Sequence, residues 1–150
     1  MHYNLDFRDL RLKMLSDSYS VTSFLESDKE ILILLRSERV STYRGKWAAI
    51  SGSLDEGKTP DDQAIVEIEE ETGLSRKDLK LIKKGEPLVF YDETLGLRKT
   101  IYPYLFHIEN RNMIRLDWEH NELKWIKPED IDKYDAMPEL KEALGRVLES

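Results

Sequence analysis

Three glutamates, Glu67, Glu70 and Glu71, stand at positions i, i+3 and i+4. At about 100° per residue, a helix gathers such positions on one side. In water these like-charged neighbours cost a helix only about a few tenths of a kcal/mol per pair. A hard divalent cation reverses the sign, because Mg²⁺ or Mn²⁺ prefers oxygen ligands and keeps waters that can touch substrate phosphates. Spacing alone leaves a second reading open, that of a solvated acidic helix face. The stretch just upstream, Ser51-Gly52-Ser53-Leu54-Asp55-Glu56-Gly57, carries two glycines. Its backbone can turn sharply and come close to a phosphate, which favours the metal reading.

The elements that position these groups follow from local signals. Thr59 caps a helix, Pro60 suits its first position, and Asp61 and Asp62 complement the positive end of its dipole. Gly73 ends the helix, and Ala64, Ile65 and Ile68 form an apolar stripe that must lie against a sheet. The glutamates then sit at the boundary between core and solvent. Strands are predicted at Tyr19–Leu25, Glu30–Leu35, Trp47–Ile50, Leu79–Lys84, Pro87–Tyr91, Thr100–Ile108 and Leu123–Ile126. Pro103 suggests that its strand lies at an edge or carries a bulge. Pro128–Ile131 reads as a helical turn, and Pro138 opens a last helix with Leu140, Ala143, Leu144 and Val147 on one face. The sum is a mixed α/β domain with helices packed on sheet faces.

A chain of 150 residues supports one core, so residues 1–150 are read as a single domain, with 1–18 as an N-terminal arm or dimer contact. It holds 40% hydrophobic and 35% charged residues, a globular balance, and lacks an apolar run long enough to span a membrane. No signal-peptide pattern opens it, and a cytoplasmic location is expected. Without cysteine there is no disulfide, thiolate metal site or cysteine nucleophile, so any metal must take oxygen or histidine ligands. The formal charge of -7 disfavours broad nucleic-acid binding, although Arg8-Arg11-Lys13 and Lys80-Lys83-Lys84 are local basic clusters.

Gly52 to Leu74, GSLDEGKTPDDQAIVEIEEETGL, resembles the Nudix box. Gly52 matches its first glycine, Glu67 the glutamate after the arginine, Ile68 an aliphatic position, Glu70 and Glu71 the glutamate pair, and Gly73 and Leu74 the close. The resemblance implies a Nudix-like α/β/α sandwich with a mixed β-sheet between helices. It implies Mg²⁺ or Mn²⁺ held by Glu67, Glu70 and Glu71, with Glu67 and Glu70 also in catalytic roles. The implied reaction is attack of a metal-activated water on the diphosphate linkage of a nucleoside diphosphate derivative. Lys58 and Val66 stand where the family has glutamate and arginine, so the box is degenerate. Lys58 either faces the glutamates or the substrate phosphate, competes with metal for those carboxylates, or lies in solvent. The rival to an enzyme is a catalytically weak or inactive Nudix domain that binds nucleotide or regulates a partner. An isomerase of this fold is disfavoured, because the familiar one uses a cysteine.

Outside the box, Arg44, Lys46, Trp47, Gly52 and Lys58 are candidates for substrate binding, with core packing the alternative for Trp47. Glu122 first and Glu119 second are candidates for a general base or an additional metal ligand. His120 reads as a hydrogen-bonded orienter or a surface residue rather than a metal ligand, and His107 as a structural histidine. Tyr102, Tyr104 and Phe106 share a strand face and suit core packing. Pro87 and Tyr91 lie near family marks for ADP-ribose and dinucleoside polyphosphates, and neither decides. The expected partner is a small nucleotide derivative, with a homodimer as an expectation from the N-terminal stretch.

Overall fold

The computed structural model describes residues 14–148. The expected arm at 1–18 falls mainly on residues outside that range, and Ser16 already begins the first strand. The strands are β1 (Ser16–Ser27), β2 (Glu30–Arg36), β3 (Trp47–Ala48), β4 (Ile50–Ser53), β5 (Lys80–Lys84), β6 (Leu88–Asp92), β7 (Leu97–His107) and β8 (His120–Ile126). The helices are α1 (Pro60–Thr72) and α2 (Leu140–Leu148), and a 3-10 segment covers Pro128–Lys133.

One mixed sheet unites all eight strands. β1 and β7 run parallel through its centre, from Ser16 opposite Leu97 to Glu26 opposite His107. On its other side β1 pairs antiparallel with β4, placing Gly52 opposite Val21, and then with the start of β2. β2 pairs antiparallel with β8 and β3.

Both faces of the sheet are buried, and the strand period of two sorts the side chains. Val21, Leu25, Leu32, Leu34, Tyr104 and Phe106 pack with Ala64, Ile65 and Ile68 of α1. Phe24, Ile31, Ile33, Ile101 and Leu105 pack with Leu140, Ala143, Leu144 and Val147 of α2. This is the α/β/α arrangement that the sequence predicts. Fully burying each such aliphatic side chain contributes roughly 1.5–3 kcal/mol, so the two stripes fix which side of each helix faces in.

Pro103 corrects one expectation: it is buried in β7, an interior strand. β5 pairs as far as Tyr104 and β6 begins at Ile101, so the proline falls at the break between two successive partners. The Gly85 N–H donates to the Pro103 carbonyl at 2.9 Å across that break. The missing N–H of proline therefore removes no ladder bond.

Candidate active site

The α1 helix is held at both ends by the signals read above. Thr59 accepts a hydrogen bond from the Asp62 N–H at 3.2 Å, and Gly73 takes a left-handed φ of 78°. The apolar stripe then turns the glutamates to three different environments. Glu70 is exposed, Glu67 is half-buried and Glu71 is buried, its residue only 3% exposed.

Glu67 lies across Gly52. A Cβ added to Gly52 would fall 2.0 Å from the Glu67 carboxyl carbon, so only glycine permits the approach. Gln63, one turn earlier and fully buried, donates from Nε2 to Glu67 Oε1 at 3.0 Å and accepts the Asp55 N–H at 3.0 Å. One amide thus ties the glycine loop to the glutamate. Burial pushes the Glu67 carboxyl up to about 7, the Gln63 bond opposes this, and the charges of Glu70, Glu119 and Asp55 add to it.

Glu71 meets two residues from the far end of the chain. One oxygen or nitrogen each of Glu71, Glu119 and His120 lie within 4.8 Å of one another. His120 Nδ1 bonds Asp117 Oδ1 at 3.1 Å, and burial holds the imidazole below its usual range. The neutral ring therefore carries its proton on Nδ1 and turns an Nε2 lone pair toward Glu71, 3.6 Å away. Glu71 Oε2 is buried with no hydrogen-bond partner. Burial raises the Glu71 carboxyl well above its ordinary value, with Glu119, Glu67 and Asp117 adding to the rise. Glu119 is raised too, by burial and then by Asp117.

Three groups converge here around one firmly held acid proton, and a divalent cation can take that proton's place. The orphaned oxygen and the two hard carboxylates fit Mg²⁺ or Mn²⁺, with the softer imidazole nitrogen of His120 completing the set. A buried carboxylate without such a partner is costly, which is why its proton is held so firmly.

On the opposite face of the sheet is a cleft of about 230 Å³. Its walls include Ser20, Ser51, Arg36, Tyr43, Lys99 and Glu139. Gly52 also lines it, so the glycine that receives Glu67 borders both regions. Arg36 forms the second connection. Its guanidinium donates to the Thr42 carbonyl at 2.9 and 3.1 Å, while its charge partly offsets the rise at Glu71 and Glu119.

Several candidates are placed elsewhere. Glu122 is exposed opposite Leu35 on β8 and does not join the Glu71 cluster, whereas Glu119 does. The bulge at Arg36 brings His120, rather than Asn121, opposite that arginine. Lys46 pairs with Asp135 at 2.7 Å, and Trp47 packs edge-on against Tyr134, so both serve the contact with the residues just after the 3-10 segment. Arg44 is exposed and donates to the Val40 carbonyl at 2.7 Å. None of these three lines the cleft. The Lys58 side chain is exposed and makes no ion pair with a described residue, while its N–H closes a turn onto the Asp55 carbonyl at 3.1 Å. His107 is hydrogen-bonded to Glu26 and Glu109, and Tyr104 stacks on Phe106 in the core. Gln63, Arg36 and the cleft hydroxyls are the site residues that sequence reasoning missed. For Gln63 a signal existed, its i, i+4 spacing to Glu67.

Comparison with known proteins identifies the family to which this fold belongs. Residues 15–147 match the model of the NUDIX domain family. The nucleoside triphosphatase NudI of Escherichia fergusonii is 26% identical over 124 residues, covering 77% of this chain and 85% of that protein. An asymmetrical bis(5'-nucleosyl)-tetraphosphatase of Caenorhabditis elegans is 28% identical over 100 residues, covering 67% and 72%. Among solved structures, a MutT protein from Methanosarcina mazei shares the fold with a TM-score of 0.69 at 23% identity, covering 88% of this chain and 93% of that one. The chain belongs to the NUDIX domain family and is a Nudix pyrophosphohydrolase.

Proposed function

We propose that this protein uses Mg²⁺ or Mn²⁺ to hydrolyse the diphosphate linkage of a nucleoside diphosphate derivative. The observation that carries the reading is the Glu71 carboxyl, which has a buried, partnerless Oε2 and lies within ligand range of Glu119 and His120. Glu71, Glu119 and His120 hold the ion, with Glu67 and Glu70 beside them on α1. When bound, the ion neutralises the diphosphate and makes water more acidic at neutral pH.

The chain's own groups do the rest. Arg36 borders the cleft and is electrostatically coupled to the carboxylates, which suits it to hold a phosphate oxygen. Glu67 is held in place by Gln63 and accepts the proton of the attacking water. Attack forms a new P–O bond, the bridging P–O bond breaks, and the departing phosphate carries away its electron pair.

The exposed position of Lys58 supports activity over the binding-module reading, because its ammonium does not occupy the carboxylates. The relatives' names put nucleoside triphosphates and dinucleoside polyphosphates first on a substrate panel, followed by ADP-ribose and nucleotide sugars. Cation-dependent turnover that disappears in Glu71→Gln is the expected result. Absence of turnover, together with tight nucleotide binding that ignores the metal, would establish the binding module instead.

A further inference from the structure

The cleft on the α2 side of the sheet contains an acid that the hydrolytic reading does not use. Glu139 immediately precedes α2 and lines the cleft, and its Oε2 is buried without a hydrogen-bond partner. Its charge is felt across the cleft, where it helps push the Tyr43 hydroxyl up to about 12, after burial and Asp92. Cations are present, but they are engaged. Lys99 lies 3.8 Å from the buried Asp92 carboxylate and 5.6 Å from the centre of the Tyr43 ring. Arg36 turns its Nε and Nη2 to the Thr42 carbonyl and side chain and gives Glu139 Oε2 no hydrogen bond. The Tyr43 hydroxyl donates to Asp92, and Thr22 and Ser51 share a hydrogen bond of 3.1 Å. The backbone around this wall is set as well, since Tyr43 holds a left-handed φ of 50°.

A carboxylate that lines a polar cleft with one oxygen unsatisfied calls for a ligand that brings N–H donors. The nucleobases differ sharply in what they offer. Guanine presents an imino N–H and an adjacent amino N–H on one edge, which a carboxylate can accept together. Adenine and cytosine present one amino group beside a ring acceptor. Uracil presents a single N–H flanked by two carbonyl oxygens, which the carboxylate would repel. We infer that Glu139 is a specificity-determining residue that reads the base of the substrate and selects guanine nucleotides. This rests on the proposed hydrolysis only in taking the cleft as the site of the nucleoside portion, with the phosphates running past Gly52 toward α1.

The experiment is a calorimetric titration of the metal-free protein with GMP, AMP, CMP and UMP, which requires no turnover. The wild type should bind GMP at least about tenfold more tightly than UMP, with AMP and CMP between them. Glu139→Ala should bring the four within about twofold. Glu139→Gln supplies the sharper readout, because a carboxamide offers one acceptor and one donor, which match adenine. It should raise AMP to or above GMP, whereas a merely structural role would weaken both alike. Equal binding of the four by the wild type overturns the inference, as does failure of all four to bind, or a guanine preference that survives Glu139→Gln. Base discrimination without turnover would sink the hydrolysis and leave the base-reading role standing. Turnover without discrimination would do the reverse.

Discussion

The two halves of the site are built in opposite ways. The carboxylate half grows from one helix and its preceding loop, with Glu67 and Glu71 brought in by α1 and only Glu119 and His120 arriving from afar. The cleft half has no such spine, since its walls come from β1, β4, β7, the loop after β2 and the approach to α2. The difference teaches where strain is stored. The helix half gathers carboxyl groups that raise one another's proton affinity, so a bound cation is expected to stabilise it. The cleft half is largely satisfied internally, with one oxygen left over.

Substituting Glu71 should give the largest effect and pull the two halves apart. Glu71→Gln removes a proposed ligand and the burden of a buried acid together. Turnover should fall by roughly 10²–10³-fold, the loss of several kcal/mol of charge stabilisation. The metal-free melting temperature should nonetheless rise, and nucleoside monophosphate binding in the cleft should hold. A melting temperature that falls along with activity would mean that the carboxylate is a structural ligand rather than a stored cost.

Gly52→Ala strikes the boundary between the halves. With only 2.0 Å to the Glu67 carboxyl carbon, the added methyl must expel that side chain. Turnover should fall by about 10²-fold, and overpacking should destabilise the fold by roughly 1–3 kcal/mol. Steady-state kinetics and a denaturant melt measure the two, and an unchanged kcat would remove Glu67 from the reaction.

A smaller effect follows from cutting the tie between loop and helix. Gln63→Leu keeps the bulk and loses both hydrogen bonds, freeing Glu67 to rotate. A supporting residue of this kind is worth about 10- to 100-fold in kcat, with KM little changed. A change confined to KM would place Gln63 in substrate binding instead.

The same contrast explains what could be read in the sequence. Thr59, Pro60, Gly73 and the Ala64-Ile65-Ile68 stripe are local signals, and α1 obeys them because burial and capping agree. The rotation of Glu71 into the core was not readable from spacing, since three convergent glutamates look alike until the sheet covers one of them. The sequence ranks Glu122 ahead of Glu119, yet it is Glu119 that reaches Glu71. The bulge at Arg36 and the pairing of β2 with β8 decide between them, and such register is set by the fold as a whole. The cleft was invisible for the same reason. Alternation says which face a serine joins, but not that Ser20, Ser51 and Lys99 become neighbours. Pro103 misled because its compatibility with an inner strand depends on the break at Gly85 in its partners.

The smallest expected effect is a pH slope, and its sign tests the stored cost directly. Glu67 holds its proton up to about 7 in the folded state because of burial, and Glu71 is raised as well. In the unfolded chain both ionise near the ordinary glutamate value of about 4.3. Between those values the unfolded state binds fewer protons, so stability falls as pH rises through the window and levels off above it. Glu67 is only half-buried, and solvent screening reduces its share, leaving a drop on the order of a few degrees in melting temperature between about pH 5 and pH 8. Saturating Mg²⁺ should flatten the slope, because the cation takes the place of the protons on these carboxylates. Melts of wild type and Glu71→Gln, with chelator and with Mg²⁺, separate the contributions. A metal-free protein whose stability rises across that window would show that the carboxylates are held by partners of their own, and the helix half would then need no cation to settle it.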